Sequence, residues 1–143
     1  MSQVEPDNEQ GAYYLTDVFS ILLSEGCKVE VMITEDPEET IGINDRVRLA
    51  EAEKIIRRRI NEDMMRSGVT LIDPETTFID MDVKIGQDTI IHPFTHIEGQ
   101  TTIGEDVVVG PHSRIKDAKI GDRVNITQST ILESVIHENV TVG

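Results

Sequence analysis

The most constraining feature of this sequence is a row of branched aliphatic residues that recurs every six positions. An α-helix repeats every 3.6 residues and an isolated strand every two, so neither explains this period. A solenoid with three short faces per coil does, because each hexapeptide turns one corner and returns an aliphatic side chain to the interior. The row comprises Ile79, Ile85, Ile91, Ile97, Ile103, Val109 and Ile115, and continues with single-residue slips through Ile120, Ile126, Ile131, Ile136 and Val142.

A second row of small or β-branched residues lies four positions after the first. Glycine also recurs just after the aliphatic position, as a tight corner requires. A stack of hairpins is the alternative, but hairpins turn every 8–12 residues rather than every six. Three hexapeptides give a coil of about 18 residues, and parallel strands of neighbouring coils should lie about 4.8 Å apart. The second row is Val83, Thr89, Thr95, Thr101, Val107 and Ser113.

Composition narrows the classes of partner. The net charge of −14 argues against nucleic acid or an anionic membrane as a general partner. A single cysteine, Cys27, excludes an internal disulfide and suits a reducing compartment, where it is interpreted as structural rather than nucleophilic. The sequence has no apolar run approaching 18 residues and no recognisable signal peptide, so we expect a cytoplasmic location.

The first third of the chain predicts one helix and one strand. The helix should run from Tyr14 to Ser24, with Thr16 as N-cap and Gly26 as its stop. Residues 28–34 alternate, with Val29, Val31 and Ile33 on one face, and this pattern predicts a strand. One helix and one strand cannot build a core, so we expect them to be the last α/β piece of a larger domain.

A second, longer helix is predicted from about Asp45 to Ser67, with Asn44 as a candidate N-cap and Gly68 as its stop. It contains seven of the 13 Lys and Arg residues. We interpret these as a solvated face that pairs with carboxylates of this chain, and a nucleic-acid stripe is the alternative. The helix would form a strut between domains. Its predicted core stripe is Leu49, Ala52, Ile56, Ile60 and Met64.

Two strands, Val69–Ile72 and Phe78–Asp80, should lead from this helix into the solenoid, with a turn at Asp73-Pro74. At the other end, Val142-Gly143 begins a hexapeptide, whereas solenoids carry a terminal cap. We therefore expect a fragment, or a truncated relative, of a two-domain protein.

The joined segments resemble the bacterial bifunctional N-acetylglucosamine-1-phosphate uridylyltransferase and glucosamine-1-phosphate N-acetyltransferase family, in its middle segment. The resemblance implies a left-handed parallel β-helix preceded by a long linker helix and the α/β tail of a nucleotidyltransferase domain. It places the uridylyltransferase remnant at residues 1–46, the linker helix at 47–67 and the first part of the acetyltransferase β-helix at 68–143. The segments that carry it are Tyr13–Asp17, Pro37–Glu39, Gly42–Arg46, Leu49–Glu53, Gly68–Pro74 and the hexapeptides.

The resemblance implies one functional residue in this chain, Asn44. By family resemblance it would contact the sugar nucleotide and ligate Mg²⁺ in an incomplete site, a role that suits an amide oxygen because Mg²⁺ prefers oxygen ligands. The alternative is that Asn44 only caps the helix. Acetyl-CoA is the implied co-substrate, but the family's site for it and its Gly-rich nucleotide loop have no counterpart here. Nor does the sequence place a carboxylate to orient any of the four histidines, His92, His96, His112 and His137.

The implied activity is synthesis of UDP-N-acetylglucosamine for cell-wall precursors. Acetyl transfer from acetyl-CoA to glucosamine-1-phosphate would precede uridylyl transfer from UTP. We expect this chain alone to be inactive, with no catalytic residue in the segment, and to form a homo-oligomer, most simply a trimer as the family does. Two alternatives stay open at this point: another sugar-1-phosphate nucleotidyltransferase with a β-helix tail, or a non-catalytic β-helix assembly module.

Overall fold

The computed structural model describes residues 16–143 and divides the chain into two compact units, residues 1–40 and 41–143. The first unit contains helix α1, Asp17–Ser24, and a 3₁₀ turn, Pro37–Thr40. Tyr14, where the sequence predicted the first helix to begin, lies outside the described residues. Thr16 occupies the N-cap position as predicted, but its side chain makes no capping hydrogen bond. Gly26 follows the helix with a φ of +77°, the left-handed conformation that ends helices.

The predicted strand at residues 28–34 is wrong. The segment forms no strand, and Val31 and Ile33 are each 87% exposed. A strand needs a neighbouring strand to pair its backbone groups, and no described segment pairs with this one. The alternating pattern therefore predicts which side chains would lie on one face of a strand, but it does not show that a neighbouring strand is present to pair with the backbone.

Helix α2 spans Arg46–Arg66 and is the longest element of the second unit. Its N-cap is Asp45, whose Oδ1 accepts a hydrogen bond from the Arg48 backbone N–H at 2.8 Å. The sequence had offered Asn44 for this role, and that assignment is wrong by one residue. The helix ends as predicted at Gly68, where φ is +102° and the Val69 N–H returns to the Met64 carbonyl at 3.1 Å.

The predicted core stripe of α2 is only partly correct. Ile60 and Met64 pack against the core, whereas Leu49 and Ile56 are more than half exposed. Only the C-terminal half of the helix reaches the β-helix, so a stripe drawn along its whole length overestimated the contact. The one residue of α2 that is fully buried, Asn61, is polar and was absent from the prediction.

Thirteen short strands follow α2 and form three parallel sheets, as the six-residue period predicted. Sheet A has the order β1-β4-β7-β10-β13, sheet B the order β11-β8-β5-β2, and sheet C the order β12-β9-β6-β3. Successive strands therefore lie in different sheets, and each pairs with a strand one coil away. The strands are β1 Thr70–Leu71, β2 Thr77–Ile79, β3 Lys84–Ile85, β4 Ile90–Ile91, β5 Thr95–Glu98, β6 Thr102–Ile103, β7 Val108–Val109, β8 Arg114–Lys116, β9 Lys119–Ile120, β10 Asn125–Ile126, β11 Thr130–Leu132, β12 Val135–Ile136 and β13 Thr141–Val142.

The register stacks the aliphatic row on itself. Ile91 lies opposite Val109 in sheet A and Ile97 opposite Ile115 in sheet B, and all four side chains have no exposed surface. In the second row, all six predicted residues, from Val83 to Ser113, are buried. Both rows are therefore confirmed as the interior of a hexapeptide β-helix, with Ile85, Ile136 and Val142 of the first row only partly buried. The predicted fold class is confirmed with them.

Aspartates link successive coils at the corners. Asp80 Oδ2 accepts the Gly99 N–H at 2.8 Å, and Asp122 Oδ1 accepts the Glu105 N–H at 3.0 Å. Glycine at 104 makes room for the second link, because a Cβ there would overlap Asp122 Oδ1 and lie 2.9 Å from the Gly121 carbonyl carbon. These contacts satisfy corner N–H groups that would otherwise lack a partner.

Candidate functional site

Asn44, the one predicted site residue, lies in the loop immediately before α2 and is exposed. Because Asp45 caps the helix, the Asn44 amide is not needed for that purpose, and it makes no hydrogen bond to any part of the chain that the structure describes. Its oxygen is of the type that Mg²⁺ accepts. Within residues 16–143, however, no group of three His, Cys, Asp or Glu side chains could hold a metal ion. The described residues therefore do not complete a Mg²⁺ site, and the role of Asn44 stays a prediction.

Two of the four histidines are packed against aromatic rings. The His96 ring stacks on Phe78 with centroids 4.5 Å apart, and the His112 ring stacks on Phe94 at 4.9 Å. Such stacking contributes packing energy but does not activate an imidazole as a base. The remaining two, His92 and His137, lie at the ends of strands in different sheets. In residues 16–143 no histidine side chain hydrogen-bonds a carboxylate that could orient it.

The basic residues of α2 pair with acidic neighbours on the same helix. Arg48 contacts Glu51 at 2.8 Å, and Arg66 contacts Glu62 at 2.9 Å. Two further pairs, Arg57–Glu53 at 3.5 Å and Arg58–Glu62 at 3.9 Å, follow the i,i+4 spacing of a helix surface. These contacts agree with the interpretation of the basic residues as self-paired. Arg57 departs from the predicted solvated face, because its side chain is only 16% exposed.

One ion pair on the β-helix joins neighbouring coils of sheet B. Arg114 Nε donates to Glu98 Oε2 at 2.5 Å. This charged hydrogen bond lowers the pKa of the Glu98 carboxyl, partial burial opposes the shift, and the charges of Arg114 and Lys116 add to it. The same bond raises the pKa of Arg114. Both groups are therefore held in their charged forms.

A concavity of about 530 Å³ lies between α2 and the turn at Pro74–Glu75. Its walls include Ile55, Met65 and Pro74, and charged residues of both signs surround them. Asn61 lines it, is only 1% exposed, and leaves its Oδ1 without a hydrogen-bond partner among the described residues. The mixture of charges selects no single class of ligand.

Sequence reasoning missed Asn61 and its neighbour Arg57, which contacts Phe78. A signal was present, because Arg57, Asn61 and Met64 follow the i, i+4, i+7 spacing of one helix face. The apolar members of that face alone do not reveal these two polar contacts. A polar residue inside an inward stripe indicates a buried hydrogen bond, since buried polar groups are almost always paired.

Comparison with known proteins identifies relatives of this chain. Residues 82–117 match the family described as bacterial transferase hexapeptide (six repeats). Over all 143 residues the chain is 51% identical to the bifunctional protein GlmU of Halalkalibacterium halodurans and 53% identical to that of Clostridium botulinum. The resemblance to the bifunctional GlmU family is confirmed. The chain spans 31% of the length of these curated relatives, so it is similar to a segment of them.

A further relative is similar over the whole chain, and one solved structure aligns with part of it. The bifunctional protein GlmU of Thermosipho africanus is 50% identical over the whole chain, which again covers 31% of its length. Among solved structures, serine acetyltransferase 1 of Entamoeba histolytica in complex with L-cysteine aligns at a TM-score of 0.46 and 16% identity, covering 67% of this chain and 47% of its own. Among the described residues, no helix is long and apolar enough to cross a membrane.

Proposed function

We propose that this chain is a segment of a bifunctional enzyme that makes UDP-N-acetylglucosamine. In the intact enzyme, acetyl-CoA would acetylate glucosamine-1-phosphate, and the product would then receive a uridylyl group from UTP. The observation that carries the proposal is identity of about half the residues, over the whole chain, to proteins named for two functions. The β-helix with its hexapeptide repeats supports the acetyltransferase half.

The domain assignment is part of the proposal. Residues 1–46 would be the end of the uridylyltransferase domain, 47–67 the linker helix, and 68–143 the first coils of the acetyltransferase domain. Helix α2, at Arg46–Arg66, supports the linker position, and β1, which begins at Thr70, supports the start of the third segment. Because the chain spans 31% of its relatives, we propose that it has neither activity alone.

A chimera tests the proposal directly. The corresponding segment of a full-length GlmU relative would be replaced by this chain, and UDP-N-acetylglucosamine formation and CoA release would be measured separately. We expect both activities in the chimera and neither in the isolated 143-residue chain. A folded chimera that lacks both activities, or turnover by the isolated chain above a buffer blank, would contradict the proposal.

Asn44 has its own test in the same chimera. If Asn44 ligates Mg²⁺ and contacts the sugar nucleotide, Asn44→Ala should lower uridylyl transfer by about tenfold or more and leave acetyl transfer unchanged. Gly42→Ala is the matched control, because it lies in the same exposed loop and a Cβ there meets nothing within 4 Å. Equal effects of the two substitutions would exclude a specific role for Asn44.

We also propose that the protein assembles as a trimer through the outer faces of its β-helix. Sheet A offers a suitable face, because Ile90 and Val108 lie side by side on its outer surface and are only half-buried. Close packing of three such faces would form a closed assembly. Sedimentation equilibrium over a wide concentration range should give a constant mass near three times that of the 16.0 kDa chain. A monomer throughout would contradict the proposal.

A further inference from the structure

The base of helix α2, which comprises Arg57, Ile60, Asn61 and Met64, packs against the first coil of the β-helix. One of these residues, Asn61, is buried and forms hydrogen bonds with that coil. Asn61 Nδ2 donates to the Pro74 carbonyl at 2.8 Å and to the Thr77 carbonyl at 3.1 Å. These carbonyls belong to the turn and to the strand that open the first coil. Asn61 is only 1% exposed, the bond to Thr77 is buried and the bond to Pro74 is partly buried, so losing them would leave two carbonyls without this donor.

A second attachment lies one turn earlier on the same face of the helix. The guanidinium carbon of Arg57 lies 4.3 Å from the centroid of the Phe78 ring, a cation–π contact. Phe78 is itself stacked on His96 with an angle of 1° between the rings, so the contact rests on an aromatic pair spanning two coils. Ile60 and Met64 complete the base by packing against the core.

The N-terminal half of α2 contrasts with this base. Val47 is 68% exposed and Leu49 is 55% exposed, although both are apolar. The direction of the helix is therefore set at its C-terminal half. A continuous helix transmits that direction along its length, about 1.5 Å per residue.

We infer that Arg57, Asn61 and Phe78 are positioning residues that fix the angle between helix α2 and the β-helix axis. Contacts on two successive turns, both with directional preferences, restrict tilt as well as rotation. The start of α2 would then be held at a defined angle to the β-helix axis. This inference does not rest on the proposed function.

The angle can be measured in the whole 143-residue chain by double electron–electron resonance. In a Cys27→Ser background, spin labels would be attached through Val47→Cys on the helix and Lys119→Cys on the β-helix, both exposed positions. We expect a single narrow distance distribution. Arg57→Ala combined with Asn61→Ala should roughly double its width, because only the apolar contacts of the base would remain. The control, Arg48→Ala, lies on the same helix outside the base and should leave the distribution unchanged.

Conservative variants separate positioning from general stability. Arg57→Lys keeps a cation for the ring and Phe78→Tyr keeps the ring, so both should retain the narrow distribution, whereas Arg57→Ala and Phe78→Leu should broaden it. Circular dichroism melts would show that the β-helix is intact in each variant. A broad distribution in the unaltered chain, or no broadening in intact alanine variants, would overturn the inference. Either result would leave the chimera assays unaffected, so the two proposals fail separately.

Discussion

Two segments of this chain whose sequence predicts an extended strand have opposite outcomes. In residues 28–34 the alternation leaves Val31 and Ile33 almost fully exposed, with no strand formed. In β5, Ile97 has no exposed surface, because the strand pairs with β2 on one side and with β8 on the other. An alternating pattern thus predicts which face of a strand a side chain would occupy, but a strand forms only where a neighbouring strand pairs with its backbone.

The partner of a β-helix strand is close in sequence. Ile97 pairs with Ile79 and with Ile115, each 18 positions away, so every coil supplies the neighbour that the next one needs. The entropic cost of closing such short loops is modest and is the same for each coil. The segment at residues 28–34 has no such repeat around it, and a partner for it would have to be specified elsewhere in the sequence.

The largest expected effect tests this comparison at one aliphatic position in each region. Ile103→Asp places a carboxylate in the interior, where Ile103 is 5% exposed, and should cost several kcal/mol or more of unfolding free energy, roughly what an unpaired buried charge costs. Ile33→Asp, at 87% exposure, should change stability by about 0.5 kcal/mol or less. Chemical denaturation would compare them. Equal destabilisation would mean that the assigned interior row is wrong.

A smaller effect is expected from two glycines, one at a β-helix corner and one in the exposed loop before α2. Gly104→Ala brings a Cβ against Asp122 and the Gly121 backbone, so the corner must shift, at a cost of about 1–3 kcal/mol. Gly42→Ala meets nothing within 4 Å and should be neutral or slightly stabilising, since it reduces the freedom of the unfolded chain. Thermal melts of the two variants give the comparison. A neutral Gly104→Ala would show that the corners are looser than the structure indicates.

A third prediction concerns the links between coils. Asp122→Ala removes the acceptor for the Glu105 N–H and should cost about 1 kcal/mol. Asp122→Asn retains an acceptor oxygen at the same place and should cost less. Hydrogen exchange at the Glu105 amide would report the link directly, with faster exchange in the alanine variant than in the asparagine variant. Identical exchange in both would argue against a corner link.

The smallest effect is a pH dependence. Since the folded-state pKa of Glu98 is lowered from its ordinary 4.5, the stabilisation by Arg114 is present above that value and is lost as the pH falls through the lowered pKa. Unfolding measured from pH 7 downward should therefore show a loss below about pH 4.5 that is larger in the unaltered chain than in Glu98→Gln. Because Arg114 is half exposed, solvent screening keeps the difference small. If the free energies of unfolding of the two proteins changed in parallel with pH, Glu98 would not contribute to the loss of stability in acid.

Most of the β-helix could be predicted from the sequence, because its repeat is local and marked twice. The aliphatic row and the row four residues later both fixed which side chains point inward, and the structure buries Ile91 and Thr89 accordingly. The end of α2 at Gly68 was equally predictable, since a left-handed glycine stops a helix wherever the chain goes next. The assignment of Asn44 to a metal ion rests on the family resemblance, and it stays a prediction.

Tertiary structure decided the rest. Whether residues 28–34 form a strand depends on a neighbour, and which half of α2 is buried depends on where the first coil packs against the helix. Both are facts about segments that meet in space. Asn61 illustrates the limit, because its burial is favourable only with the Pro74 and Thr77 carbonyls beside it. The sequence by itself determined the interior of the β-helix, because the six-residue repeat sets the environment of each residue in it. Only the tertiary structure decided the contacts between elements that do not belong to one repeat, such as α2 and the first coil.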